Sequence, residues 1–184
     1  MKKIISLILI VITALTLFSC SREEGEAPYG MKVASSELSE YYLYVPKDWE
    51  VTTEEDSLMA SARASESDPS NVTMIGFEDG SDEYETIDDF WAYCKNEYST
   101  RIFDFADGTT TFTLTNEGEA TTVGGLAAKK YEYRGKIADS DFCYTTVLIK
   151  RDSIFYIFTY TSTPSLYDKH LEDVGFMLSY VEFK

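Results

Sequence analysis

His170 is the single histidine in 184 residues, and that restricts the chemistry at once. Two-His metal sites are removed, and most zinc sites with them. No His-Glu-x-x-His, Gly-x-Ser-x-Gly, Ser-x-x-Lys, Cys-x-x-Cys, P-loop or Gly-x-Gly-x-x-Gly pattern occurs. A Ser–His–acid triad would have to run through His170, which falls on the apolar stripe of the last helix, the position of a packed histidine. No catalytic residue and no cofactor are therefore assigned, and the chain is read as no enzyme. Cys94 and Cys143 leave two outcomes open. They form a disulfide if the helix carrying Cys94 covers the strand carrying Cys143, or they stay free and pack as small hydrophobes; sequence does not supply the Cα separation a bridge needs. The densest carboxylates run from Glu78 to Glu85, with Asp88 and Asp89 behind them. Oxygen ligands suit Ca²⁺, and Glu78, Asp79, Asp82 and Glu83 are the candidate ligands, although the spacing is not that of an EF-hand. The competing reading is a solvated loop, with Asp88 and Asp89 at a helix N-terminus where the dipole favours them. The 14 tyrosines suit either contact with a partner or half-buried strand positions.

Cys20 is the third cysteine. Lys2 and Lys3 precede an apolar run from Ile4 to Phe18, too short for the ~20 residues of a membrane-spanning helix and right for the h-region of a signal peptide. Leu17-Phe18-Ser19-Cys20 resembles a bacterial lipobox, which implies diacylglycerol on Cys20 and cleavage before it. Two or three acyl chains, at about 0.8 kcal/mol per buried methylene, hold a protein where one chain is marginal. The expected location is lipid-anchored and extracytoplasmic, on the cell membrane or outer membrane.

The elements that position these residues follow from patterning. Apolar residues make up 44% and aromatics 15%, enough for a core and too much for a disordered tail. A net charge of −16 argues against nucleic acid, which demands concentrated Lys and Arg, and against adhesion to anionic lipid, so the acyl anchor is the expected membrane contact. Residues 1–19 read as a signal peptide, 20–36 as the lipidated Cys20 and a flexible Gly/Pro-containing tether, and 37–184 as one domain. Within it, alternation predicts strands near 41–45, 58–64, 72–77, 109–114, 119–123, 126–133, 142–150 and 154–161. Thr86 and Asp89 form a capping-box start for a helix ending near Ile102, with Ile87, Phe90, Trp91, Cys94 and Tyr98 on one stripe. Gly124-Gly125 is a hairpin turn. Thr163-Pro164 reads as N-cap and N1 of a last helix to about Tyr180, burying Tyr167, His170, Leu171, Val174, Met177, Leu178 and Val181. Large residues alternate on both sides of the 154–161 strand, which predicts an α+β fold: an antiparallel sheet with helices on both faces, an α-β-α sandwich.

Tyr42-Leu-Tyr-Val-Pro46 with Asp48-Trp49, then Val123-Gly-Gly-Leu-Ala-Ala-Lys129, then a closing helix before Ser179-Tyr-Val-Glu-Phe183, together resemble the PsbP/Mog-type fold family and bacterial PsbP-like lipoproteins. The resemblance spans roughly residues 37–184. It implies a PsbP-like fold and work by binding partners rather than by catalysis, as in photosystem extrinsic proteins and a Ran-binding nuclear protein of that family. No ligand residue of those relatives maps onto this sequence. The expected function is a non-catalytic, lipid-anchored domain that binds or scaffolds a protein or other envelope component; the alternative is a small-ligand or Ca²⁺-binding accessory lipoprotein.

Overall fold

The computed structural model describes residues 25–80, 83–106 and 109–184. Cys20 and Asp82 lie outside them. The chain order is β1 (Met31–Val33), β2 (Tyr41–Tyr42), β3 (Tyr44–Pro46), β4 (Glu50–Val51), β5 (Ala60–Ser65), β6 (Asp68–Glu78), α1 (Ile87–Glu97), β7 (Phe105–Ala106), β8 (Thr109–Thr110), β9 (Thr113–Val123), β10 (Leu126–Ile137), β11 (Ser140–Arg151), β12 (Ile154–Ser162), α2 (Leu171–Ser179) and β13 (Glu182–Phe183). Seven strands form one sheet in the order β4-β5-β6-β12-β11-β10-β9, every neighbouring pair antiparallel.

Strand alternation divides the sheet's side chains between two cores. On β11, Val147 and Ile149 point to one face and Tyr144 and Leu148 to the other. On β12, Tyr156, Phe158 and Tyr160 join the first core and Phe155 the second. The first face is covered by Met31, Ala34, Tyr41, Leu43, Tyr44, Val45 and Trp49 from the N-terminal third, and by Val174, Met177 and Val181 from α2 and its exit. The second is covered by α1, through Phe90, Trp91 and Cys94, and by Phe103 beyond it. This is an α+β fold with a helix on each side of an antiparallel sheet.

Local signals held where their chemistry is self-contained. Thr86 caps α1: its side chain accepts from the Asp89 N–H at 3.2 Å, and the Asp89 carboxylate accepts from the Thr86 N–H at 3.0 Å. The α-helix ends at Glu97 and passes through a π turn, Tyr98–Ile102. Gly124 and Gly125, with φ of 55° and 78°, make the two-residue turn that joins Val123 to its partner Leu126, a conformation that costs glycine little.

Three expectations are corrected. The segment read as a tether belongs to the domain from Gly25 onward. Pro28 accepts from the Met31 N–H at 2.9 Å, β1 pairs with β3, and Met31 and Ala34 are buried; three residues of strand are too few to show a period. The last helix starts late. Tyr167–His170 is a 3₁₀ turn, the α-helix begins only at Leu171, and Leu171 is exposed. Thr163 instead accepts from the Leu166 N–H in a turn. Finally, the strand expected across 109–114 is broken, with β8 pairing to β7 and β9 starting at Thr113.

Candidate functional site

The structure separates the residues that sequence chemistry grouped. Cys94 and Cys143 are both free and buried. Cys94 belongs to the second core, whereas Cys143 shares the parity of Val147 and Ile149, which point into the first. A bridge needs converging Cβ atoms and Cα atoms about 4.4–6.8 Å apart; Cys94 sits on α1 over one face of the sheet while Cys143 points from β11 to the other, so the possible disulfide is corrected to two free thiols. Burial pushes the Cys94 thiol up to about 12 and raises that of Cys143, which keeps both as poorly nucleophilic thiols.

The acidic loop is likewise divided. Asp79 is buried, with Oδ2 accepting from the Tyr84 N–H at 2.7 Å. It closes the turn into α1. Glu78 is exposed on another side and lines a surface cleft. Asp88 pairs with Lys129 at 2.6 Å. Among the described residues no three His, Cys, Asp or Glu side chains converge as a metal-binding group.

His170 is held in a polar bridge that sequence reasoning missed. Its Nε2 lies 2.9 Å from Asp68 Oδ2, its Nδ1 lies 3.2 Å from Asp173 Oδ2, and the Trp49 ring packs edge-on at 5.2 Å. Lys169 Nζ donates to the same Asp68 oxygen at 2.8 Å, and the Ser70 N–H donates to Asp68 Oδ1 at 3.1 Å. Burial by itself would raise the Asp68 carboxyl; hydrogen bonds from His170, Lys169 and Ser70 outweigh it and hold the group well below the usual carboxylate range. With a carboxylate at each ring nitrogen, His170 has no nitrogen left to activate a hydroxyl. The nearby Ser70 and Ser162 hydroxyls bond to each other at 2.7 Å. No local pattern signals that Asp68 meets Lys169 and His170, because they lie 101 and 102 residues away.

Among the described residues the surface opens into a cleft at one end of the sheet. Its volume is 190 Å³, and Leu38, Glu40, Leu58, Glu78, Ile154 and Tyr156 line it. It adjoins a depression of 480 Å³ bounded by Glu37, Arg151, Asp152 and Lys184. Leu38 and Leu58 stand exposed at the rim. Below them Tyr41 and Tyr156 pack edge to face at 5.8 Å. Tyr41 donates to the Met74 carbonyl and accepts from the Ala60 N–H at 3.1 Å, while Tyr156 donates to Glu40 at 3.3 Å. The rim loop is stapled in place, since Ser36 donates to the Ser57 carbonyl at 2.6 Å. Burial, and then the Glu40 charge, raise the Tyr156 hydroxyl, so the floor is neutral and apolar beneath a carboxylate edge. Such a concavity can hold an apolar group that carries a polar end.

Comparison with solved structures places this arrangement. A cyanobacterial PsbP, CyanoP from Synechocystis sp. PCC 6803, superposes with a TM-score of 0.59 at 18% identity, over 91% of this chain and 99% of that one. The chain has the PsbP-like fold. The same fold is shared with LpqN, described as involved in cell envelope biogenesis of Mycobacterium tuberculosis, at a TM-score of 0.54 and 14% identity over 78% of this chain and 83% of that one. It is also shared with PA94 of Pseudomonas aeruginosa, a protein of unknown function, at 0.53 and 17% over 82% and 94%. No protein-family profile and no curated protein sequence matches the chain. At these identities the PsbP-like likeness establishes architecture and transfers no site residue.

Proposed function

We propose that this chain is a non-catalytic domain, anchored by lipid at Cys20 on the extracytoplasmic side of the envelope, that binds or scaffolds another envelope component. One observation carries the reading: His170 and both buried thiols are consumed by structure, while apolar Leu38 and Leu58 stand exposed around a tyrosine-floored cleft. Exposed apolar side chains around a concavity are what a binding surface offers. LpqN, with the same fold, is described as involved in cell envelope biogenesis, and among the described residues no helix is long and apolar enough to cross a membrane.

The test has two parts. Cys20→Ala abolishes acylation seen by mass spectrometry and releases the protein from the membrane fraction; an unmodified wild-type N-terminus sinks the anchor. Crosslinking in native membranes with wild type and with Leu38→Asp/Leu58→Asp then compares captured components. A specific adduct that the double variant loses supports the cleft, and an identical adduct pattern removes it. The small-ligand alternative is favoured by the size of the same cleft, and Ca²⁺ or a ligand at 100 times its dissociation constant would add about 2.7 kcal/mol in a thermal-shift assay.

A further inference from the structure

The N-terminal segment does not hang free of the domain. Gly25, with φ of +79°, lies against the ring of Tyr42, where an added Cβ would come within 2.8 Å of the ring. Its N–H donates to Glu182 at 3.4 Å. Glu182 pairs with Tyr42 and Phe183 with Tyr41. Phe183 packs on Tyr156 at 4.8 Å and lies close to Gly124, and the carbonyl of Lys184 accepts from Arg151 Nη1 at 2.7 Å. The chain therefore leaves the domain beside one end of the sheet, the end that carries the β9–β10 and β11–β12 turns. The depression bounded by Arg151, Asp152 and Lys184 opens at this same end.

Five peptide steps separate Cys20 from Gly25, a reach of at most about 18 Å at 3.3–3.6 Å per residue. β11 alone runs 12 residues, roughly 40 Å at about 3.3 Å per residue. A link this short from the docked Gly25 cannot present both ends of the sheet to a bilayer equally. We infer that the lipid bilayer lies against the Gly124–Arg151–Lys184 end of the domain, with the cleft turned toward it, and that the docking of Gly25 sets this orientation. The inference rests on acylation of Cys20. The net charge of −16 gives no attraction to anionic headgroups, so the orientation is imposed by the strap and persists on neutral lipid.

Energy transfer tests this. Ser140, at the start of β11, and Ser153, in the turn that follows its other end, are exposed, and the native Cys94 and Cys143 are buried, so Ser153→Cys and Ser140→Cys each accept a fluorophore selectively. The acylated full chain is reconstituted on phosphatidylcholine vesicles containing a headgroup-labelled acceptor. Transfer several-fold higher from position 153 than from 140 is the expected result. Equal transfer, or a stronger signal from 140, overturns the orientation while leaving the anchor intact. A chain shown by mass spectrometry to lack acyl groups overturns the anchor and this inference together. Gly25→Val, strained at this φ and crowding Tyr42, undocks the strap and brings the two signals together without lowering the melting temperature appreciably; an undiminished difference in that variant removes Gly25 as the determinant.

Discussion

The two faces of the sheet are stabilised in different ways. The second is an aromatic stack shared between the sheet and one nearby helix. Trp91 lies over Tyr131 at 3.9 Å, Tyr133 over Tyr144 at 4.9 Å, and Phe90 over Phe155 at 4.4 Å. The first face is closed by segments from the two ends of the chain, Met31–Trp49 and Val174–Val181, and its margin is fastened by a charged and polar bridge from Asp68 to Lys169 and His170. Ring stacking tolerates few polar atoms, and Trp91 Nε1 has no hydrogen-bond partner among the described residues. The bridge depends on directed bonds between residues about a hundred positions apart. The aromatic face should therefore be indifferent to acid, and the bridged face should weaken as pH falls.

Trp91→Ala is the strongest attempt to break that contrast. Trp91 is 4% exposed, so truncation should cost about 3–5 kcal/mol by denaturant unfolding. Trp91→Phe keeps an aromatic face and discards the unpartnered N–H, so it should recover most of that loss. A near-neutral Trp91→Ala would show that the α1 stack contributes little.

Asp68→Asn is the matching change on the first face, with an expected loss of about 2–3 kcal/mol at neutral pH. The sign with pH follows from the folded-state pKa lying below that of the unfolded chain. The contribution of Asp68 is complete above about pH 5 and fades as pH falls through the unfolded value near 3.9 and toward the lower folded one. Wild type and Asp68→Asn should therefore converge in stability between pH 5 and pH 2, and a constant gap would contradict the bridge. Trp91→Ala should keep its deficit across the same range.

The smallest change sharpens the comparison at the edge of the aromatic face. Thr86→Ala removes the cap of α1 and should cost about 1 kcal/mol. In hydrogen exchange the added opening should appear in α1 before it appears in α2. Equal loosening of both helices would mean that the two faces unfold as one unit.

Which of these features the sequence showed depends on how far apart their causes lie. The Thr86–Asp89 capping box spans three residues and was legible, as were the Gly124-Gly125 turn, the α1 stripe and the alternation of Phe155 against Tyr156, because a helix or strand writes its burial into a local period. From these the antiparallel sheet with a helix on each face could be read. The cysteines show the limit. Each was legible as buried, but which face each occupies depends on the parity of its strand within a register set by β10 and β12, and that register is a tertiary fact. The acidic run shows it too: carboxylates adjacent in sequence were sent in different directions, Asp79 inward, Glu78 to the cleft and Asp88 to Lys129.

The sequence by itself thus determined the periods, the turns and the cap, since each is fixed by contacts within a few residues. Tertiary structure alone decided the rest. It gave Asp68 its partners, set Leu38 beside Leu58 over the two buried tyrosines, and returned Gly25 to the far end of the chain at Glu182. Each of those contacts repays the entropy of closing a long loop only when the whole sheet is already in register, so no short stretch of sequence could announce it.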